Sequence, residues 1–195
     1  MGQARQKNER LIATLKEEMK KWTQPYTARE EAVADELRGL PVERVGRPSL
    51  EQLSWAGMQP RYCHLNAVWM EENDPDRETR AVLGWAVIPG GYVLHSVIRQ
   101  RGKLICVTPP ESGPRDWIDF IADPKLVRTK TEAGQYVFHR DGHEMGFGVR
   151  SDPQFLQQFW EFVSGNIAAG KPAHQIMKES GDYAAAHWKP DEEAK

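Results

Sequence analysis

Cys63 and His95 are the two side chains in this 195-residue chain whose types and setting suit covalent catalysis. Cys63 stands just before or at the first turn of a helical segment that carries Leu65, Val68 and Trp69 and ends at Asn73-Asp74-Pro75. Free amides and the positive end of the helix dipole favour a thiolate there, so the thiol pKa is expected to fall. His95 lies in Val93-Leu94-His95-Ser96-Val97, where strand alternation puts it on the face of Val93 and Val97. If the Cys63 helix covers that face, the pair can perform acyl transfer. The thiolate would attack a carbonyl and the imidazolium would protonate the leaving group. Both residues also have ordinary roles, the cysteine as a small buried hydrophobe and the histidine as a core residue among valines.

Other residues fit such a site less directly. Gln59, four residues before Cys63, is a candidate for an oxyanion-hole amide, or an ordinary loop glutamine. A zinc site from Cys63, His64, His95 and Cys106 has atypical spacing, because no C-x2-C or H-x3-H pair accompanies the adjacent Cys63 and His64. His139 and His143 flank the turn Asp141-Gly142, which makes a hairpin and not one helical face. No metal and no other cofactor is expected. Arg99, Arg101 and Lys103 cluster at a strand turn, the glycines form no phosphate loop, and the formal net charge is -2. Nucleic-acid binding is not expected.

The wording around these residues carries a resemblance. Cys63-His64-Leu65-Asn66, Gly84-Trp85, His95-Ser96-Val97, Thr108-Pro109 and Phe120-Ile121-Ala122-Asp123-Pro124 follow one another in order. The set resembles a group of small bacterial Cys-His proteins with the pattern C-H-x-N, G-W, H-x-V, D-x-T-P and F-x-x-D-P. It covers about a third of the chain, Tyr62 to Pro124. The resemblance implies a papain-like or transglutaminase-like core, with Asn66 and Trp85 in supporting roles. Where the pattern has the aspartate of D-x-T-P, this chain has Cys106, a poor acceptor for an imidazole N–H. A substitute for the missing carboxylate is then expected nearby, and Asp119 or Asp116 are the candidates.

The elements that must position these residues follow from pattern. Leu11, Ile12, Leu15, Met19 and Trp22 form a helical stripe between Gln3 and Trp22. Thr27 with Glu30 reads as a capping box for a second helix ending near Gly39. Residues 40–60 read as irregular around a short helical turn, Leu50–Trp55. Strands are expected over Arg80–Ile88, Tyr92–Arg99, Leu104–Thr108 and Trp117–Ala122, with a hairpin about Asp141-Gly142. Asp152-Pro153 opens a helix with Phe155, Leu156, Phe159, Phe162 and Val163, and a short helix follows from Ala173 to Lys178. This order gives an α+β fold with an antiparallel sheet of about four to six strands flanked by helices. Residues 1–39 read as a helical arm and 40–195 as one core domain.

Hydrophobic residues at 39% suffice for a core, and no run approaches the roughly 18 apolar residues of a membrane span. The N-terminus lacks an apolar h-region, the C-terminal run from Lys189 is polar, and two cysteines make no disulfide scaffold, so a cytoplasmic protein is expected. Two functions are in view. One is a cysteine hydrolase or acyltransferase using Cys63 and His95, with Asp119 and Gln59 assisting, acting on a peptide, protein or small amide. The other is a non-catalytic binding or regulatory protein on the same scaffold, with a homodimer formed through the N-terminal helices.

Overall fold

Chain order in the computed structural model, which describes residues 2–111 and 115–189, is helices, strands, helices. The elements are α1 Gly2–Trp22, α2 Ala28–Arg38, β1 Glu43–Gly46, α3 Leu50–Trp55, α4 Cys63–Glu72, β2 Thr79–Ile88, β3 Gly91–Gln100, β4 Lys103–Ile105, β5 Trp117–Ala122, β6 Leu126–Lys130, β7 Tyr136–Arg140, β8 His143–Glu144, β9 Gly148–Arg150, α5 Pro153–Ala168 and α6 Ala173–His187. The polar C-terminal run beyond Lys189 lies outside the described residues.

The fold is mixed α+β and divides into two compact units. One contains residues up to Asp35, Pro89–Gly91 and the chain from Arg150 on; the other contains Glu36–Ile88 and Tyr92–Val149. This division differs from a boundary at residue 39, because α5 and α6 group with α1 and not with the sheet.

In the helical unit, Arg150 ties the start of α2 to the end of α1. Its Nε and Nη2 donate to the two Glu30 carboxylate oxygens at 2.8 and 2.6 Å, and its Nη groups donate to the carbonyls of Trp22, Gln24 and Pro25. The guanidinium thus binds carbonyls at the C-terminal end of α1 and in the two residues before Tyr26, where a cation also complements the helix dipole. The engagement also explains why the capping box is half made. Thr27 Oγ1 accepts from the Glu30 backbone N–H, but the Glu30 side chain turns to Arg150. Helix α1 packs against α5 and α6, so its apolar stripe already has a use inside one copy. Helix α6 runs nine residues past the expected Lys178. Ile176, Ser180 and Ala184 keep one buried face, and Tyr183 stacks on Phe162 at 4.6 Å and on His187 at 4.1 Å, which outweighs the weak helix propensity of Gly181.

The other unit is organised by its strands. Arg101 (φ 48°) with Gly102 (φ 80°), and Asp141 (φ 51°) with Gly142 (φ 77°), supply the two positive φ values of tight hairpin turns. The sheet is mixed, not antiparallel throughout: β1 pairs with β4 in parallel, while β1–β5, β2–β5 and β3–β4 are antiparallel. Strand order is β2-β5-β1-β4-β3-β9, and β2 also pairs with β3, so five strands close on themselves. β6, β7 and β8 form a separate three-stranded sheet. Strand β1 lies in the stretch read as irregular. It forms because β4 and β5 each need a partner, and Val45 enters the core at 2% exposure. Inside the closure there is no spare room: a Cβ on Gly84 would lie 2.0 Å from the Ile121 carbonyl oxygen.

Asp123 fastens the two sheets together. Its Oδ2 accepts from Trp85 Nε1 at 2.9 Å and from Arg140 Nε at 2.8 Å, and its Oδ1 accepts from the Lys125 amide at 3.0 Å. Asp123 and Arg140 are both 3% exposed, so removing one member leaves an uncompensated buried charge. Asp123→Ala is expected to cost about 3–5 kcal/mol of stability, read as the shift in chemical-denaturation midpoint. A loss below about 1 kcal/mol would show that the cluster is not the fastening.

Candidate functional site

Helix α4 begins at Cys63 and stops at Asn73, as its sequence predicts, but it is turned about its axis relative to the expected packing. The buried face is Cys63, Asn66, Ala67 and Val68, whereas Leu65 and Trp69 are each 49% exposed. Ala67 packs with Leu53, Met58, Ile98 and Val107, and His64 Nδ1 shares a 2.6 Å hydrogen bond with Ser96 Oγ. The helix therefore covers the Ser96 and Ile98 face of β3. His95 points the other way by alternation, toward the cluster of Val45, Val97, Cys106 and Phe120 inside the closed strands.

Cys63 meets β3 at the Ser96 amide, the residue next to His95. Burial pushes its thiol up to about 11, although the backbone N–H groups of Ser96, His64 and Cys63 itself pull the other way, and the nearby Cys106 sulfur adds to the rise. The expected lowering by the helix N-terminus is therefore overturned. The amides are present, but removing a thiolate from water costs more than they return. Burial likewise lowers His95 to about 3, with His64 and Arg47 adding to it, and lowers His64 to about 4, with Arg128 adding. Moving a proton from the Cys63 thiol to the His95 imidazole is therefore uphill, because burial opposes the charge that each group would acquire.

The imidazole is engaged elsewhere. His95 Nε2 and Cys106 Sγ form a hydrogen bond at 3.4 Å, and Cys63 and His95 share none among the described residues. Arg47 Nη2 donates to the same sulfur at 3.6 Å, and the Cys106 thiol donates to the Thr108 carbonyl at 3.8 Å. Asp119 does not take the missing carboxylate's place. It alternates with Phe120, which faces the interior, and its Oδ1 accepts from Arg44 Nε at 3.3 Å on the outer side. Asp116 contributes its carbonyl to the Arg47 amide. Gln59 does not present an oxyanion amide either: its Nε2 donates to the Gly57 carbonyl, within its own loop.

Asn66 and Trp85 are supporting residues in a literal sense. Asn66 accepts from the Gln59 amide at 3.2 Å, and donates to the Gln59 carbonyl at 2.8 Å and to Thr108 Oγ1 at 3.2 Å. It thereby joins the loop before Cys63 to the segment carrying Cys106. Trp85 is fully buried on Asp123. Arg47, Ser96 and Thr108 join the site without a sequence signal of their own. Arg47 sits in an unremarkable Gly-Arg-Pro, and Ser96 matters only because α4 chose its face. No three His, Cys, Asp or Glu side chains converge as a metal site among the described residues.

The open concavity nearby belongs to the outer face of α4. It encloses about 490 Å³ between Met58, Tyr62, Leu65, Trp69 and Tyr136, and Cys63 does not line it. No described helix is long and apolar enough to cross a membrane. No family model, curated protein or solved structure matches the chain.

Two neutral half-buried histidines make stability acid-sensitive. Both have folded pKa values below the ordinary 6.5, so the unfolded chain binds more protons in acid. Their contribution is complete above about pH 6.5 and is lost as pH falls toward 4 and then 3. Unfolding free energy is expected to drop by roughly 1.4 kcal/mol per pH unit for each histidine between about pH 6 and 4.5. Denaturant midpoints against pH read this, and His95→Gln should remove about half the slope. A flat profile from pH 6.5 to 5 would contradict it. Asn66→Ala is expected to cost about 1–3 kcal/mol and to open the Gln59 amide to hydrogen exchange. Unchanged protection there would show that the loop is held by other contacts.

Proposed function

We propose that this chain is a non-catalytic binding or regulatory protein built on a papain-like or transglutaminase-like Cys–His scaffold. The observation that carries this reading is the partner of His95. Its Nε2 is bonded to the Cys106 sulfur, a weak acceptor that stands where the resembling pattern has an aspartate to orient the ring and stabilise imidazolium. The other observations agree with it. Burial favours the neutral form of both thiol and imidazole, and the two share no hydrogen bond among the described residues. Cys63 is 8% exposed, so a substrate carbonyl has little access to its sulfur.

One observation favours the second reading, a cysteine hydrolase or acyltransferase acting on an amide, ester or isopeptide. The three backbone amides around Cys63 form the electrostatic setting that a thiolate and an oxyanion both use. In that case Cys63 is the nucleophile, His95 takes its proton, and the site must open to water or substrate for the proton to move.

Thiol alkylation of the native protein separates the two. With iodoacetamide at pH 7, the non-catalytic reading expects Cys63 to label slowly. Its rate should then rise about tenfold per pH unit through pH 9 to 10 without a plateau, since only the thiolate reacts. The urea-unfolded protein gives the reference rate. Fast labelling of Cys63 at pH 7 with a plateau below pH 8 would overturn this reading and establish the nucleophile.

A further inference from the structure

Cys106 has one thiol proton and one sulfur, and three groups stand in hydrogen-bond geometry around that sulfur: His95 Nε2 at 3.4 Å, Arg47 Nη2 at 3.6 Å and the Thr108 carbonyl oxygen at 3.8 Å. Arg47 has only donors, so the sulfur accepts from it in every arrangement. The carbonyl has only lone pairs, so the one partner that can use the thiol proton, other than His95, is Thr108. Two assignments remain. In the first, the thiol proton goes to Thr108 O and His95 donates its Nε2–H to the sulfur. In the second, the thiol proton goes to a bare Nε2, and His95 carries its own proton on Nδ1.

The count of hydrogen bonds made decides between them. The second assignment spends the thiol proton on His95 and leaves the Thr108 carbonyl contact without a proton, so two of the three contacts are hydrogen bonds. The first makes all three hydrogen bonds: Nε2–H to sulfur, Nη2–H to sulfur, S–H to Thr108 O. A buried polar group left unpaired costs about 1–3 kcal/mol. Cys106 is 0% exposed and Thr108 is 5% exposed, so water does not readily step in.

We infer that Cys106 is a positioning residue that fixes the His95 imidazole as the Nε2–H tautomer, with Thr108 holding the thiol proton and Arg47 holding the sulfur. The cysteine thus keeps one of the two tasks of a carboxylate in this position, orientation of the ring, and gives up the other, stabilisation of imidazolium. Nδ1 is left with a bare lone pair. The inference goes beyond the non-catalytic reading and does not require Cys63 to react.

Long-range 1H–15N correlation of the imidazole nitrogens in the uniformly 15N-labelled full chain, with His95→Gln identifying the signals, tests it. At pH 7 the expected result is a protonated-type Nε2 and an unprotonated-type Nδ1, with the Nε2–H form favoured by about tenfold or more. Cys106→Ala removes the acceptor and should bring the two forms to within about threefold of each other. Cys106→Ser keeps a hydroxyl that can donate to Thr108 O and accept from His95, and should retain the bias. Cys106→Asp supplies the missing charge and should raise the His95 titration midpoint by about 1–3 pH units. A protonated Nδ1 in the natural protein overturns the inference outright, and it does so even where a variant fails to fold. An unchanged bias in a folded Cys106→Ala also overturns it. Fast alkylation of Cys63 overturns the non-catalytic reading alone, so the two fail separately.

Discussion

Closing five strands on themselves packs side chains into the space between them, and the chemistry of this chain follows from how that interior desolvates the groups set against it. Val45, Val97, Cys106 and Phe120 fill the space, and Gly84 is needed because even one added carbon would run into the backbone of β5. A group placed against such an interior keeps its neutral form unless a partner compensates it. His95 has no anionic partner among the described residues, and burial lowers its imidazole pKa. Cys63, set at the helix end against the edge of β3, is protonated. A helix N-terminus offers amides to a thiolate, but amides compensate only part of what lost hydration costs.

Charge is nevertheless tolerated in this molecule where it is matched. Asp123 accepts three hydrogen bonds, two from side chains and one from backbone, and its partner Arg140 reaches Glu36 at 2.8 Å on its solvent side. Arg150 does the same in the helical unit, where Glu30 and three carbonyls surround it. These clusters are fully satisfied and hold elements in register. The contrast with the centre around His95 is informative. There a guanidinium and an imidazole converge on a sulfur, which accepts weakly and carries no formal charge as a thiol. The chain buries an ion pair at Asp123 and Arg140 and places none beside His95 among the described residues.

Much of the framework was legible because it rests on local rules. The starts of α2 and α3, the cap of α5 at Asp152-Pro153, and the turns at Arg101-Gly102 and Asp141-Gly142 are set by capping side chains and positive φ values, which depend on neighbours in sequence. What misled was the assumption that an apolar face is a buried face. Leu65 and Trp69 look like core and stand half in solvent, because α4 seats Asn66 and Ala67 against the strands to satisfy the Gln59 loop and Thr108. Strand β1 carried too little apolar pattern to be seen, since its existence depends on the open edges of β4 and β5.

The sequence by itself determined which residues are available: two cysteines, a histidine in a strand, an arginine after Gly46, and a cysteine standing where the resembling pattern has an aspartate. It also determined that Cys63 heads a helix and that His95 and Ser96 face opposite sides of one strand, because both follow from local geometry. Only the tertiary structure decided which side of that strand the helix would cover. It chose the Ser96 side, which gave His64 to Ser96 and left His95 to Cys106. The same choice decided the protonation states, since desolvation depends on what surrounds a group in space, and neighbours in sequence supply only a small part of that surrounding.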